Sequence, residues 1–185
     1  MAGPFHILGI SGSLRKGSFN TALLKAVQEL LPEGMALEIF DLSPIQLYNE
    51  DIRMSGYPEA VKDFRNRIAA SDALLIATPE YNYSFPGVLK NALDWASRPP
   101  DPPLFKKPAA IMGASQGPFG TARGQLHLRQ VCVCTNIMVL NKPEVLVTNA
   151  QTKFDNQGRL IDESTRKYVR DFLTALGMWI SQLGK

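Results

Sequence analysis

Histidine and cysteine are scarce in this chain, with two of each in 185 residues. Cys132 and Cys134 stand two positions apart, so they face opposite sides of a strand or lie well apart on a helix. They are not placed to bridge each other. A metal site built on them would need further ligands, and only His127 is near in sequence. Two buried apolar thiols are the expectation. Long hydrophobic runs are missing as well: none approaches the roughly 18 apolar residues of a membrane span. No basic leader precedes a long apolar stretch, and the expected location is the cytoplasm. Charge of one sign is also lacking. Lys and Arg number 20 against 17 Asp and Glu, a net +3 spread over doublets such as Arg15-Lys16, Lys106-Lys107 and Arg166-Lys167. That is too little for a nucleic-acid surface. Neither G-x-x-x-x-G-K-[ST] nor G-x-G-x-x-G occurs, which points away from ATP and from a Rossmann-bound dinucleotide.

What is present is ordinary globular composition, 45% hydrophobic and 20% charged, in a length that fits one domain over 1–185. The run Phe5 to Ile10 is short, nearly continuous in apolar residues and bounded by Gly and Ser, as for a strand buried on both faces. On that reading His6 is buried. Leu23, Leu24, Val27, Leu30 and Leu31 then share one helical stripe, with Ser18 as N-cap and Pro32 and Gly34 as the stop. The alternation continues with strands at 36–40, 73–78 and 109–112 and helices at 58–70, 88–96 and 120–133. A fifth strand is expected at 137–140, resuming at 145–147. The final helix is marked by Val169, Phe172, Leu173, Leu176, Ile180 and Leu183. Residues 98–103 are expected to run stiff and extended, and 152–161 to form a polar loop or hairpin. Strands alternating with helices imply an α/β fold, a parallel sheet covered on both faces.

In such a sheet the ligand crevice lies beyond the carboxyl ends of the strands. The loops after strands one, three and four are the most distinctive in the chain. The first, Ser11 to Ser18 leading into Phe19 and Asn20, combines Ser11, Ser13 and Ser18 with two glycines and the cations Arg15 and Lys16 at the start of a helix. Free N–H groups and the helix dipole favour a phosphate there. The second, Pro79-Glu80-Tyr81-Asn82-Tyr83 and on to Gly87, interleaves aromatic rings with amide and carboxylate groups, a suitable wall for a flat heteroaromatic ring. The third runs from Gly113 to Gly120 and includes Ser115, Gln116 and Gly117.

Gly113 to Gly117 also matches the G-x-S-x-G nucleophile elbow, which would make Ser115 a hydrolase nucleophile. The histidine such a triad needs is not supplied. His127 is the only one after Ser115, inside an expected helix, with no acidic residue between them. Ser115 to Gly117 is read instead as a ring-binding turn.

With these loops in view, the sequence resembles the NADPH-dependent FMN reductase family of flavodoxin-like quinone, chromate and azo-dye reductases. The resemblance rests on GSLRKGSFN (12–20), PEYNYSFPGVLKNALDW (79–95), ASQGPFGTARGQLHLRQV (114–131) and LNKPEV (140–145), which cover most of the chain in order. It implies a five-stranded parallel sheet of order 2-1-3-4-5 with helices on both faces, and non-covalent FMN as cofactor. Ser11, Ser13, Arg15, Ser18 and Asn20, with Phe19 beside them, would take the FMN phosphate. Pro79 to Tyr83 and Ser115 to Gly117 would line the isoalloxazine. The implied activity carries electrons from NADPH or NADH to a small acceptor such as a quinone, free flavin, azo compound or metal oxyanion, in a ping-pong, two-electron course with no catalytic side chain. The family also implies a homodimer or homotetramer with helix 88–96 in the contact. Two other readings share the cofactor: a flavodoxin-type electron carrier, disfavoured by the net charge of +3, and a flavin-binding sensor.

Overall fold

The computed structural model describes residues 4–184. Three strands form its centre: β1 (Phe5–Ser11), β3 (Ala73–Ala77) and β4 (Pro108–Ala114). All of β3 and β4 and most of β1 are buried, as their apolar runs require. β2 (Met35–Phe40) lies outside β1, and beyond β4 come β5 (Met138–Val139) and β6 (Val145–Val147). Every pairing is parallel and the order is β2-β1-β3-β4-β5, with β6 also on β4. The expected order 2-1-3-4-5 is therefore observed.

The fifth strand comes in two pieces along one edge. β5 pairs with the start of β4 at Pro108 and Ala109, and β6 with its end at Met112 to Ala114. Pro143 lies between them and has no N–H to give a ladder, so the strand breaks there and resumes.

Side-chain alternation sorts the core into two layers. Ile7, Leu75, Ala110 and Met112 meet Leu23, Leu24, Val27 and Leu30 of α1 (Phe19–Leu30) and Val169, Phe172, Leu173 and Leu176 of α6 (Glu163–Gln182). Leu8, Ile10, Leu74, Ile76 and Ile111 meet the other face, under α3 (Glu59–Ala70), α4 (Gly87–Ala96) and α5 (Ala122–Thr135). Each fully buried Leu or Ile contributes about 1.5–3 kcal/mol. Ser18 caps α1, its Oγ accepting the N–H groups of Asn20 and Thr21, and Asp162 caps α6 by accepting Thr165 N–H.

Several expectations are corrected. α2 (Glu50–Ser55) has no sequence signature because none of its residues is buried. α6 begins at Glu163, well before its first strongly periodic residue. Residues 98–103 bend instead of running extended, since the Arg65 guanidinium gathers the carbonyls of Arg98, Pro100 and Asp101 around itself. The 152–161 segment does return on itself, through an antiparallel bridge between Phe154 and Leu160. His6 is exposed at the amino end of β1, beside an open groove between β2 and α3 lined by Glu38, Asp63 and Arg67. Cys132 is buried but Cys134 is exposed, because two residues along α5 rotate the side chain away from the stripe of Leu128 and Cys132. No helix among the described residues is long and apolar enough to cross a membrane.

Candidate functional site

Beyond the carboxyl ends of β1, β3 and β4 the chain forms three adjoining loops, residues 12–18, 78–86 and 115–121. Backbone bonds lace their roots together: Gly12 N–H donates to Ala77 O at 2.8 Å and Thr78 N–H to Met112 O at 2.9 Å. At Gly113 a Cβ would stand 1.9 Å from Thr121 Oγ1 and 2.5 Å from Thr78 O. Only glycine lets the third loop fold back over the end of β4 there.

In the first loop the candidate side chains divide by direction. Ser11 is buried, its hydroxyl 2.8 Å from Thr21 Oγ1 and 3.3 Å from Ser13 O. Ser18 is buried in its cap, and Asn20 is buried with its amide against the backbone of Ala114. Phe19 packs on Phe154 with ring centroids 5.5 Å apart. These residues shape the loop. Ser13 is half-buried, while Arg15 and Lys16 are exposed and have no carboxylate partner among the described residues. The backbone N–H groups of Leu14, Lys16, Gly17 and Phe19 likewise find no partner among the described residues. Four free donors and two unpaired cations at the head of α1 fit a phosphate monoester.

The second loop turns tightly at 81–84. Tyr81 N–H donates to Ser84 O at 2.8 Å and Ser84 N–H to Tyr81 O at 2.9 Å, with φ +50° at Asn82 and +68° at Tyr83. Two successive positive φ values define a type I′ arrangement, which Asn tolerates and Tyr adopts at a cost of about 1–3 kcal/mol. Pro79 is buried at the root, while Tyr81, Asn82 and Tyr83 are exposed.

Glu80 points the other way. Its side chain is only 8% exposed and accepts the N–H groups of Arg123 and Gly124 at 3.0 and 3.1 Å, with the Arg123 guanidinium at 2.5 Å. Burial pushes the Glu80 carboxyl up, but the Gly124 N–H and the Arg123 guanidinium outweigh it and hold the group below its ordinary value. The same guanidinium carbon lies 3.8 Å from the Tyr83 ring centroid and 4.4 Å from that of Phe119, joining the second and third loops.

The third loop exposes Gln116 and Gly117 and leaves Ser115 half-buried. Ser115 N–H donates to Val147 O at 2.9 Å, and its Oγ donates to Gly117 O at 3.3 Å. His127 instead stands with Nδ1 3.2 Å from Ser84 Oγ, and His6 lies at the opposite end of β1. No histidine reaches Ser115, so the elbow lacks its base. Around 79–83 and 115–117, the N–H groups of Glu80, Asn82, Tyr83, Gln116 and Gly117 have no partner among the described residues. Free donors beside exposed aromatic rings suit a flat ring with nitrogen and oxygen edges.

Sequence reasoning missed Arg123, Phe119 and Thr21. For Arg123 a signal existed: a cation in the first turn of α5, with no acidic residue there, opposes the helix dipole and calls for a carboxylate from elsewhere.

Comparison with known proteins agrees with this geometry. The family model for NADPH-dependent FMN reductase matches residues 5–152. The chain is 56% identical over 183 residues to an NAD(P)H-dependent FMN reductase of Pseudomonas aeruginosa, covering 99% of each. It is 41% identical over 186 residues to a quinone reductase of Escherichia coli, again covering 99% of each. Among solved structures it superposes on the flavoenzyme NAD(P)H:(acceptor) oxidoreductase FerB of Paracoccus denitrificans with a TM-score of 0.89 and 34% identity, over 96% of this chain and 98% of that one. A flavodoxin-like sheet, a cluster of free N–H groups and cations at the head of α1 and these full-length similarities converge: the chain belongs to the NADPH-dependent FMN reductase family of flavin-dependent oxidoreductases.

Proposed function

We propose that the protein is an FMN-dependent quinone reductase, drawing electrons from NADPH and delivering them in pairs to a small quinone. The observation that carries this reading is the set of unpartnered N–H groups at Leu14, Lys16, Gly17 and Phe19 beside Arg15. They would hold the FMN phosphate with Ser13, on a loop shaped by Ser11 and Ser18. Residues 79–83 and 115–117 would flank the ring, and their free N–H groups would stabilise negative charge on it. FMN, when bound, supplies the hydride chemistry; the chain supplies position and electrostatics, so no catalytic side chain is needed. The quinone reductase of Escherichia coli at 41% identity supports the acceptor class, and the match to the NADPH-dependent FMN reductase model supports the donor.

With 79–83 and 115–117 on one side, a flat donor and a flat acceptor share the remaining face. Both need reacting atoms within about 3–3.5 Å, so they occupy it in turn. The kinetic course is ping-pong. Initial rates against NADPH at several fixed quinone concentrations test this: parallel double-reciprocal lines are expected, and lines intersecting to the left of the axis would mean that both substrates bind together.

The protein works in the cytoplasm as a homodimer or homotetramer with α4 in the contact. Supporting this is a groove of about 920 Å³ between α4 and α5, lined by Phe85, Lys90, Asp94, Phe105 and Val131. On α5, Leu126 and Val133 are exposed, the latter by 82%. Sedimentation equilibrium decides the state, and a monomer at micromolar concentration would exclude it.

A further inference from the structure

Asn20 sits in the first turn of α1, where an amide side chain ordinarily meets solvent, yet it is only 3% exposed. Both of its polar atoms go to one partner. Oδ1 accepts Ala114 N–H at 2.9 Å, and Nδ2 donates to Ala114 O at 3.0 Å. This pair of bonds imitates a neighbouring strand at the last residue of β4.

The place it fills is one that β3 has left. Pairing of β3 with β4 ends at Ala77 and Met112, and the following Thr78 N–H reaches back to Met112 O. Along a strand the N–H and C=O of alternate residues face the same side, so Ala114 turns its groups toward the line of β3, two residues beyond the last pair. Ser115 faces the other side, toward Val147. Ala114 is 2% exposed, so without Asn20 its N–H and C=O would be buried and unpaired. Ser115 to Gly117 begin at the next residue.

We propose that Asn20 is a positioning residue for the flavin ring, acting through Ala114 to set the Ser115–Gly117 turn, rather than a ligand of the FMN phosphate. The role rests on the reading of 115–117 as the ring wall. The first loop and the helix it enters then serve both ends of the cofactor, with Ser13, Arg15 and the free N–H groups facing the phosphate while Asn20 fixes the loop that borders the ring. The head of α1 and the end of β4 are thereby tied through one amide across the position that β3 vacates.

The test compares FMN with riboflavin, which has the same ring and no phosphate. Dissociation constants are measured by flavin fluorescence for wild type, Asn20→Ala and the milder Asn20→Ser. A positioning role predicts that Asn20→Ala weakens both flavins about tenfold or more and keeps the ratio of their affinities within about twofold of wild type. The visible absorption band of bound FMN also shifts, because the turn beside the ring moves; a purely structural residue would lower stability and leave that band in place. Amide exchange of Ala114 in the flavin-free wild type supplies a readout that needs no variant to fold, and protection is expected there. The proposal is overturned by an unchanged riboflavin affinity beside a weakened FMN affinity, by unchanged affinities for both, by an unmoved band, or by rapid exchange at Ala114. A wild type that binds neither flavin overturns the site reading itself and this role with it.

Discussion

Glu80 and Arg123 meet across 43 residues of chain, the carboxylate closing the head of α5 by accepting the N–H groups of Arg123 and Gly124 while holding the Arg123 guanidinium. Thr121 at the N-cap position makes no side-chain cap bond, so this end of the helix is capped from the loop after β3. One ion pair thus ties the second loop to the head of α5, where the same guanidinium also meets Phe119 of the third loop. Glu80→Ala leaves two helix N–H groups and a cation at the positive end of a dipole without their partner, and a loss of about 2–3 kcal/mol is expected. A double-mutant cycle with Arg123→Ala in urea checks it: the two losses should fail to add by about 1–2 kcal/mol, and simple additivity would mean that the residues act separately.

The same carboxylate makes stability depend on pH with a definite sign. Burial pushes Glu80 up, but the Gly124 N–H and Arg123 hold its folded-state value below the ordinary 4.5. The folded protein therefore binds this proton more weakly than the unfolded chain. Its contribution is complete above about pH 4.5 and is lost as pH falls through the folded value. The stability gap between wild type and Glu80→Gln should narrow on going from about pH 7 to about pH 3.5. Urea midpoints at several pH values measure it, and a constant gap would show that the charge on Glu80 is not what matters.

Arg15 has no carboxylate partner among the described residues, and its guanidinium carbon lies 5.9 Å from the Phe19 ring centroid. Arg15→Ala should weaken FMN by about 1.5–3 kcal/mol, the scale of a hydrogen bond to a charged group, and leave the melting temperature of the flavin-free protein unchanged. An unaltered FMN dissociation constant would remove Arg15 from the site.

These residues also show how far the sequence could be read. β1, β3 and β4 were legible because strands buried on both faces must be apolar throughout, and α1 and α6 because a helix on a sheet shows its stripe. That the loop after β1 would enter the head of a helix was legible from its serines, glycines and Ser18 cap. α2 was not, since a helix that buries nothing has no pattern. His6 was misread because an apolar run does not show that a groove opens beside its first residues, and Cys134 because α5 buries only a narrow stripe. The Glu80–Arg123 contact lies between distant positions, and only the unfavourable place of Arg123 on its helix hinted at it. Which face of the first loop each side chain takes was beyond sequence altogether: Ser11, Ser18 and Asn20 turn inward while Arg15 turns out.

Ser115 has no histidine in reach, and its hydroxyl is turned to Gly117 O. Serine-directed phosphonates should therefore leave the protein unlabelled, and Ser115→Ala should retain reductase activity within about tenfold of wild type, the loss of one modest contact. Covalent labelling of Ser115, seen by mass spectrometry, would restore the hydrolase reading.

The most direct measurement is the identity of the flavin that the purified protein carries. On the proposed reading, the four free N–H groups and Arg15 at the head of α1 take a single terminal phosphate, and the ring is expected between 79–83 and 115–117. The protein should purify yellow, release FMN on denaturation, and after removal of the flavin rebind FMN in preference to riboflavin, with the preference reduced in Arg15→Ala. A colourless protein that does not take up FMN, or one that releases FAD, would contradict it.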